Sequence, residues 1–254
     1  MQDNPVVDPN RFISYLRSCG YLNIDRPPNT VIFIFLESLL KQCEKVYELN
    51  QVEGFDAGEL YLLAGNNDIG IFYCRGIGAP VAVINMEELI AFGVKEFIVL
   101  GTAGALVSEL SIADTVLCDS ALIDEGTSKH YQPDGQVAYP TTVWHNKVRG
   151  WLGKMLPSLN EGRTWTTDAP YRETENKVKR LQQQGVLCVE METSALFTVA
   201  SFNQVNITSI FVISDSLADL TWNPGFFSNK VMDKLVGLMK HLINLPSDSR
   251  GGHD

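Results

Sequence analysis

Residues 185–203, GVLCVEMETSALFTVASFN, change their periodicity in mid-course. Val186, Leu187, Cys188 and Val189 form a continuous apolar run, the pattern of a strand buried on both faces. From there on, Met191, Ala195, Leu196, Val199 and Ala200 fall at three- and four-residue spacing, which is one face of a helix. A buried strand therefore runs straight into a helix, and two acids, Glu190 and Glu192, stand where the strand ends. Carboxylates among such apolar neighbours are either paired or used. Open α/β sheets bind ligands at the carboxyl ends of their strands, which makes both acids candidate ligand groups. The competing reading is that they cap the helix and favour its positive N-terminus.

The rest of the chain alternates in the same way. Apolar runs predict strands at 31–36, 61–64, 69–74, 97–100, 115–117, 120–123, 163–167 and 207–213. Helical spacing predicts helices at 11–18, 37–49, 81–92, 143–155, 173–184 and 229–243, with Gly93 as a C-cap. Small residues at 76–80 and 101–104 read as loops following strands, and 217–228 as a loop carrying Trp222, Phe226 and Phe227. No linker separates two halves and no repeat is present. The expectation is a single α/β domain over residues 1–245 with a mixed, largely parallel sheet, followed by a flexible tail at 246–254.

Composition narrows the function classes. Of the 254 residues, 45% are hydrophobic and 20% charged, as in a soluble globular protein. A formal net charge of −10 argues against nucleic acid or an anionic membrane as main partner. No apolar run is long enough to span a bilayer, and the N-terminus lacks a signal-peptide pattern. Five cysteines, at 19, 43, 74, 118 and 188, form no CxxC pair and read as free thiols of a reducing compartment, so a cytoplasmic protein is expected. Neither an HExxH motif nor a Cys/His cluster is present, so no metal is expected.

Three segments carry a resemblance. VEMETSALFTVA resembles the EMExxAL motif of the nucleoside phosphorylase/nucleosidase superfamily, whose members cleave the N-glycosidic bond of nucleosides. CRGIGAPVAVINMEELIAFGVKEFIVLGTAGAL (74–106) and VISDSL (212–217) match the same superfamily in the right order. TWTTDAPYRET (164–174) looks like a uridine-phosphorylase-like branch. The resemblance spans roughly residues 68–217 and implies a twisted mixed central sheet flanked by helices.

It also implies roles. Glu192 would accept hydrogen bonds from the ribose 2′- and 3′-hydroxyls, which an ionised carboxylate can do for two donors at once. Its charge would favour positive charge developing on the sugar. Met191 would lie against the ribose, with plain core packing as the alternative, and Glu190 would assist or only cap the helix. Asp215, flanked by Ser214, matches the acid that serves the base in purine-cleaving members; an ordinary N-cap is its alternative. Tyr171 would stack on the base. Gly101, Thr102 and Gly104, and the loop at Gly76, would line the phosphate and ribose site.

The sequence departs from the family in three places. Val99 stands where phosphorolytic members usually carry an arginine, and the N-terminal phosphate loop is absent. The N-terminal segment has no histidine to meet the ribose 5′-hydroxyl. Arg75 and Arg172 are the candidate replacements at the phosphate. The resemblance implies phosphorolysis of a nucleoside, with Asp215 favouring a purine one, in purine salvage. Phosphate would be co-substrate, no other cofactor would be needed, and a homo-oligomer is expected by analogy. The alternatives are a hydrolytic nucleosidase, a uridine phosphorylase and a nucleoside-binding protein without turnover.

Overall fold

The apolar runs at 31–34 and 97–100 lie side by side in one sheet. In the computed structural model, which describes residues 5–22, 24 and 26–246, the first half contains α1 (Pro9–Ser18), β1 (Thr30–Ile34), α2 (Glu37–Glu44), β2 (Leu49–Val52), β3 (Gly58–Leu63), β4 (Asn66–Cys74) and α3 (Ala79–Phe92). There follow β5 (Glu96–Ala105), β6 (Thr115–Asp124), β7 (Val137–Ala138), α4 (Thr142–Met155) and β8 (Asn160–Thr167). The last third holds α5 (Glu175–Gln183), β9 (Val186–Glu190), α6 (Thr193–Asn203), β10 (Asn206–Ser216), β11 (Asn223–Pro224) and α7 (Asn229–Ile243). Of the flexible tail expected at 246–254, residues 247–254 lie outside the described residues.

β4, β1, β5 and β10 are parallel neighbours, with β3 and β2 added antiparallel at the edge. Beyond β5 the sheet closes on itself. β10 pairs with β6, β6 with β8, β8 with β9, and β9 returns antiparallel to the end of β5 through Gly104 and Ala105. The inner strands are apolar on both faces because both faces are covered. Val31 and Phe33 join a core with α1, α3 and α6, whereas Ile32 and Ile34 join one with α2, α4 and α7. Helix α6 is buried all round over its first eight residues, as an apolar helix without a polar stripe must be. Among the described residues no helix is long and apolar enough to cross a membrane.

Four differences from the expected elements bear on the site or its frame. Residues 101–104 are not a loop: β5 runs on to Ala105, paired to β10 along its length. Gly104 there answers to crowding, since a Cβ on it would lie 3.0 Å from Leu217 and 3.1 Å from the Asp215 carboxyl. β10 likewise continues through Asp215 instead of stopping at Ile213, with a bulge between Ile213 and Asp215 that sets Asp215 opposite Gly104. Bulges re-aim side chains in this way beside functional sites. At the edge, α2 ends at Glu44, because Leu49–Val52 pairs with β3 as a strand too polar to announce itself. Residues 115–124 form one strand, not two, kinked where its register against β8 shifts between Cys118 and Ser120.

Candidate active site

The carboxyl ends of β5, β9 and β10 surround a cavity of about 620 Å³. Each strand delivers its share by a different local device. The end of β5 contributes Gly101, Thr102 and Gly104, whose small size leaves the space open. β9 hands over to α6 with only Met191 and Glu192 between them, so Glu190, Met191 and Glu192 all reach the cavity wall. The bulged end of β10 contributes Ser214 and Asp215. The turn before α5 adds Pro170, Tyr171 and Glu173, and the loop after β10 adds Trp222 and Phe226.

The two glutamates of the junction have different surroundings. Glu190 accepts hydrogen bonds from the Thr166 hydroxyl and from the backbone N–H groups of Glu192 (2.8 Å) and Thr193 (2.7 Å). Thr166 in turn accepts from the Ser194 N–H at 2.9 Å. Glu190 therefore satisfies the orphan donors at the start of α6, the capping role weighed from the sequence. Glu192 reaches the other way, accepting a short hydrogen bond from the backbone N–H of Gly78 at the head of α3. Gly78 adopts φ 102°, a conformation that suits glycine and aims this N–H at the carboxyl. The starts of two helices thus meet at one pair of acids.

Burial raises the pKa of both. The Glu192 carboxyl is pushed up to about 8, first by burial and then by the neighbouring Glu190 charge, against the pull of the Gly78 N–H. Glu190 is also shifted upward by burial, but its hydrogen bonds all come from donors that favour the anion. The two carboxyls titrate as a coupled pair, and burial favours their protonated forms.

Asp215 is buried, and both its oxygens accept hydrogen bonds. The Ser214 hydroxyl donates to Oδ1 at 2.8 Å and the Trp222 indole to Oδ2 at 2.9 Å. Trp222 is brought there by the fold-back of 217–228: β11 pairs with Asp215 and Ser216, and the Gly225 N–H donates to the Ser214 carbonyl at 2.8 Å. Tyr171 is fully exposed at the rim. Glu173, which the sequence reading passed over, lines the same cavity. Burial, then the nearby Asp215 charge, raises its pKa to about 7. Its only signal in the sequence was its place in the TWTTDAPYRET segment beside Tyr171.

The cavity thus brings together Gly101, Thr102, Gly104, Tyr171, Glu190, Met191, Glu192, Ser214 and Asp215. Gly76, Arg75 and Arg172 are not among its lining residues. Arg75 is bound instead to Glu59 through Nε, at 2.9 Å, and Nη2, because β3 and β4 pair Glu59 with the residue just before Arg75's strand end. Val99 does line the cavity, and among its described lining residues there is no lysine, arginine or histidine.

Known proteins resemble this chain at both levels. The DeoD-type purine nucleoside phosphorylase of Bacillus cereus (strain B4264) is 34% identical over 145 residues, covering 56% of this chain and 61% of the relative. Its counterpart in Bacillus thuringiensis (strain Al Hakam) is 33% identical over the same extent. The chain thus spans about 61% of the length of the curated relatives it matches. The crystal structure of uridine phosphorylase from Vibrio fischeri ES114 superposes with a TM-score of 0.70 at 21% identity, over 85% of this chain and 87% of that one. The same enzyme complexed with 6-hydroxy-1-naphthoic acid gives a TM-score of 0.73 at 22% identity, over 86% and 89%. At such identity the likeness is one of fold. The sequence model of the Phosphorylase superfamily matches residues 36–244. That span takes in β5, β9, β10 and both helices whose N-termini meet at the cavity, and the chain belongs to the phosphorylase superfamily.

Proposed function

We propose that this protein cleaves the N-glycosidic bond of a purine nucleoside with inorganic phosphate, giving ribose 1-phosphate and the free base. The observation that carries this reading is the placement of Glu192 and Asp215 in one cavity, although they come from separate strand ends. Glu192, with Met191 beside it, holds the ribose hydroxyls and stabilises positive charge on the sugar. Asp215 serves the base, with Ser214 and Trp222 fixing its orientation. An acid at this position favours purines, in keeping with the purine nucleoside phosphorylases among the sequence relatives. Gly101, Thr102 and Gly104 border the nucleophile. No further cofactor enters the scheme. A cytoplasmic homo-oligomer in nucleoside salvage completes the reading, and exposed Ile77 and Ile84 suit burial between subunits.

One observation favours hydrolysis as a second reading: no cationic side chain lines the cavity among the described residues, and Val99 faces it. Inorganic phosphate needs a charge partner in a partly dry site. Arg172, between the lining residues Tyr171 and Glu173, is the nearest candidate in sequence. Incubation with a panel of nucleosides, with and without phosphate, separates the readings by the release of free base. Phosphate-dependent release supports phosphorolysis, phosphate-independent release supports hydrolysis, and saturable binding without release contradicts both. If phosphate is the nucleophile, Arg172→Ala should raise its KM at least about tenfold, the loss of one charge-assisted contact. Arg75→Ala should change it less than about threefold, as for an exposed ion pair that does not line the cavity. Steady-state kinetics with phosphate varied checks both values.

A further inference from the structure

Resting on that reading, we infer that Glu173 is a catalytic residue: its carboxyl group, on the wall of the cavity it shares with Asp215, donates the proton to the leaving base. Asp215 is an awkward proton donor in this structure, because both its oxygens already accept hydrogen bonds, from Ser214 and Trp222. Those donors hold it as an acceptor. Glu173 is half-buried, and its carboxyl makes no hydrogen bond to the other described residues.

The groups around Glu173 fit the assignment. On β10 the Asp215 charge opposes its ionisation. At the β9–α6 junction Glu190 and Glu192 add two more carboxyls to the same cavity. On α5 Lys177 acts the other way, but its ammonium is bound to Asp124 and lies 4.6 Å from the centre of the Trp165 ring. Burial and Asp215 prevail, and the group titrates near neutrality, where a general acid is most effective. Of the two neighbouring carboxyls, Asp215 is held as an acceptor by Ser214 and Trp222, while Glu173 is left free to give a proton.

The step balances simply. As the bond from C1′ to the base nitrogen breaks, its electron pair moves into the base. The Glu173 proton passes to a ring nitrogen of the base, leaving a carboxylate. A phosphate oxygen forms the new bond to C1′. Glu173 takes a proton back from water once the products leave.

The test compares wild type, Glu173→Gln and Glu173→Asp on inosine and on a riboside with a nitrophenol leaving group. For the glutamine variant, kcat/KM on inosine should fall about 10²-fold and the alkaline limb near pH 7 should vanish. The nitrophenyl riboside, which needs little proton assistance, should lose less than about threefold. The aspartate variant should keep an alkaline limb. Equal losses on both substrates, or an unchanged limb in the glutamine variant, would overturn the assignment. A second readout does not depend on turnover. Calorimetry of hypoxanthine binding in buffers of different ionisation heat should show proton exchange near pH 7 in wild type and none in Glu173→Gln. Equal proton exchange in the two proteins would overturn it as well. If wild type releases no base from any nucleoside, the phosphorylase reading fails, while calorimetry still decides the role of Glu173.

Discussion

Replacing Glu192 by glutamine is expected to remove most turnover while making the folded protein more stable at alkaline pH. The loss of activity follows from exchanging an acceptor-only carboxylate for an amide at the position proposed to meet the ribose. One preorganised electrostatic contact of this kind contributes about 2.7–4 kcal/mol to the transition state, or about 10²–10³-fold in kcat. The gain in stability follows from burial. Burial pushes the Glu192 carboxyl up to about 8 in the folded protein from its ordinary value of 4.5, so between those values the folded state binds more protons than the unfolded one. Stability from this group is fully present below about pH 4.5 and is lost as pH rises through about 8. Glutamine keeps the oxygen that accepts from Gly78 but removes the titration, and should raise stability by on the order of 2–4 kcal/mol at pH 8. Urea unfolding of both proteins at pH 5 and pH 8 measures the difference, which should be small at pH 5. A variant that is equally destabilised at both values, or that turns over like wild type, contradicts the assigned role.

The same titration predicts the pH dependence of wild type. In the proposed role Glu192 binds the sugar as its anion, so kcat/KM should rise toward pH 8. Proton donation by Glu173 requires the acid form, so the rate should fall above about pH 7. The profile is therefore a bell with its maximum between these values.

Asp215→Asn is the second large effect. The amide keeps the shape of the side chain but cannot carry the negative charge that Ser214 and Trp222 hold in place. Turnover of purine nucleosides should fall about 10²-fold or more, the scale of one lost preorganised contact to the base. A riboside with an activated leaving group should suffer far less. Equal losses on both substrates would point to a structural cap in place of a chemical group. Differential kinetics on the two substrates measures the effect directly.

The sequence made some of this legible for physical reasons. The change of period at 185–203 marked a strand running into a buried helix, and both the junction and its acids stand where that pattern put them. Helix α7 matches its apolar stripe at both ends, since Ser228 caps it as the spacing begins. What the sequence concealed depended on contacts between distant segments. Glycines at 101 and 104 look alike in a loop and in a strand; only the nearness of Leu217 and Asp215 explains the second. The bulge before Asp215 exists in the pairing of β10 with β5 and in neither strand alone. Arg75 was a free cation in the sequence and is bound to Glu59 in the fold. Glu173 was one acid in a polar segment until the sheet brought it to the cavity that holds Asp215.

The central claim is that the cavity joins phosphate to ribose as the base departs. Phosphorus NMR of a reaction containing purified protein, inosine and inorganic phosphate tests it most directly. The account predicts that the phosphate signal declines and a ribose 1-phosphate signal grows in equal measure with hypoxanthine, and that Glu192→Gln suppresses both. Hypoxanthine released with the phosphate signal unchanged would contradict phosphorolysis.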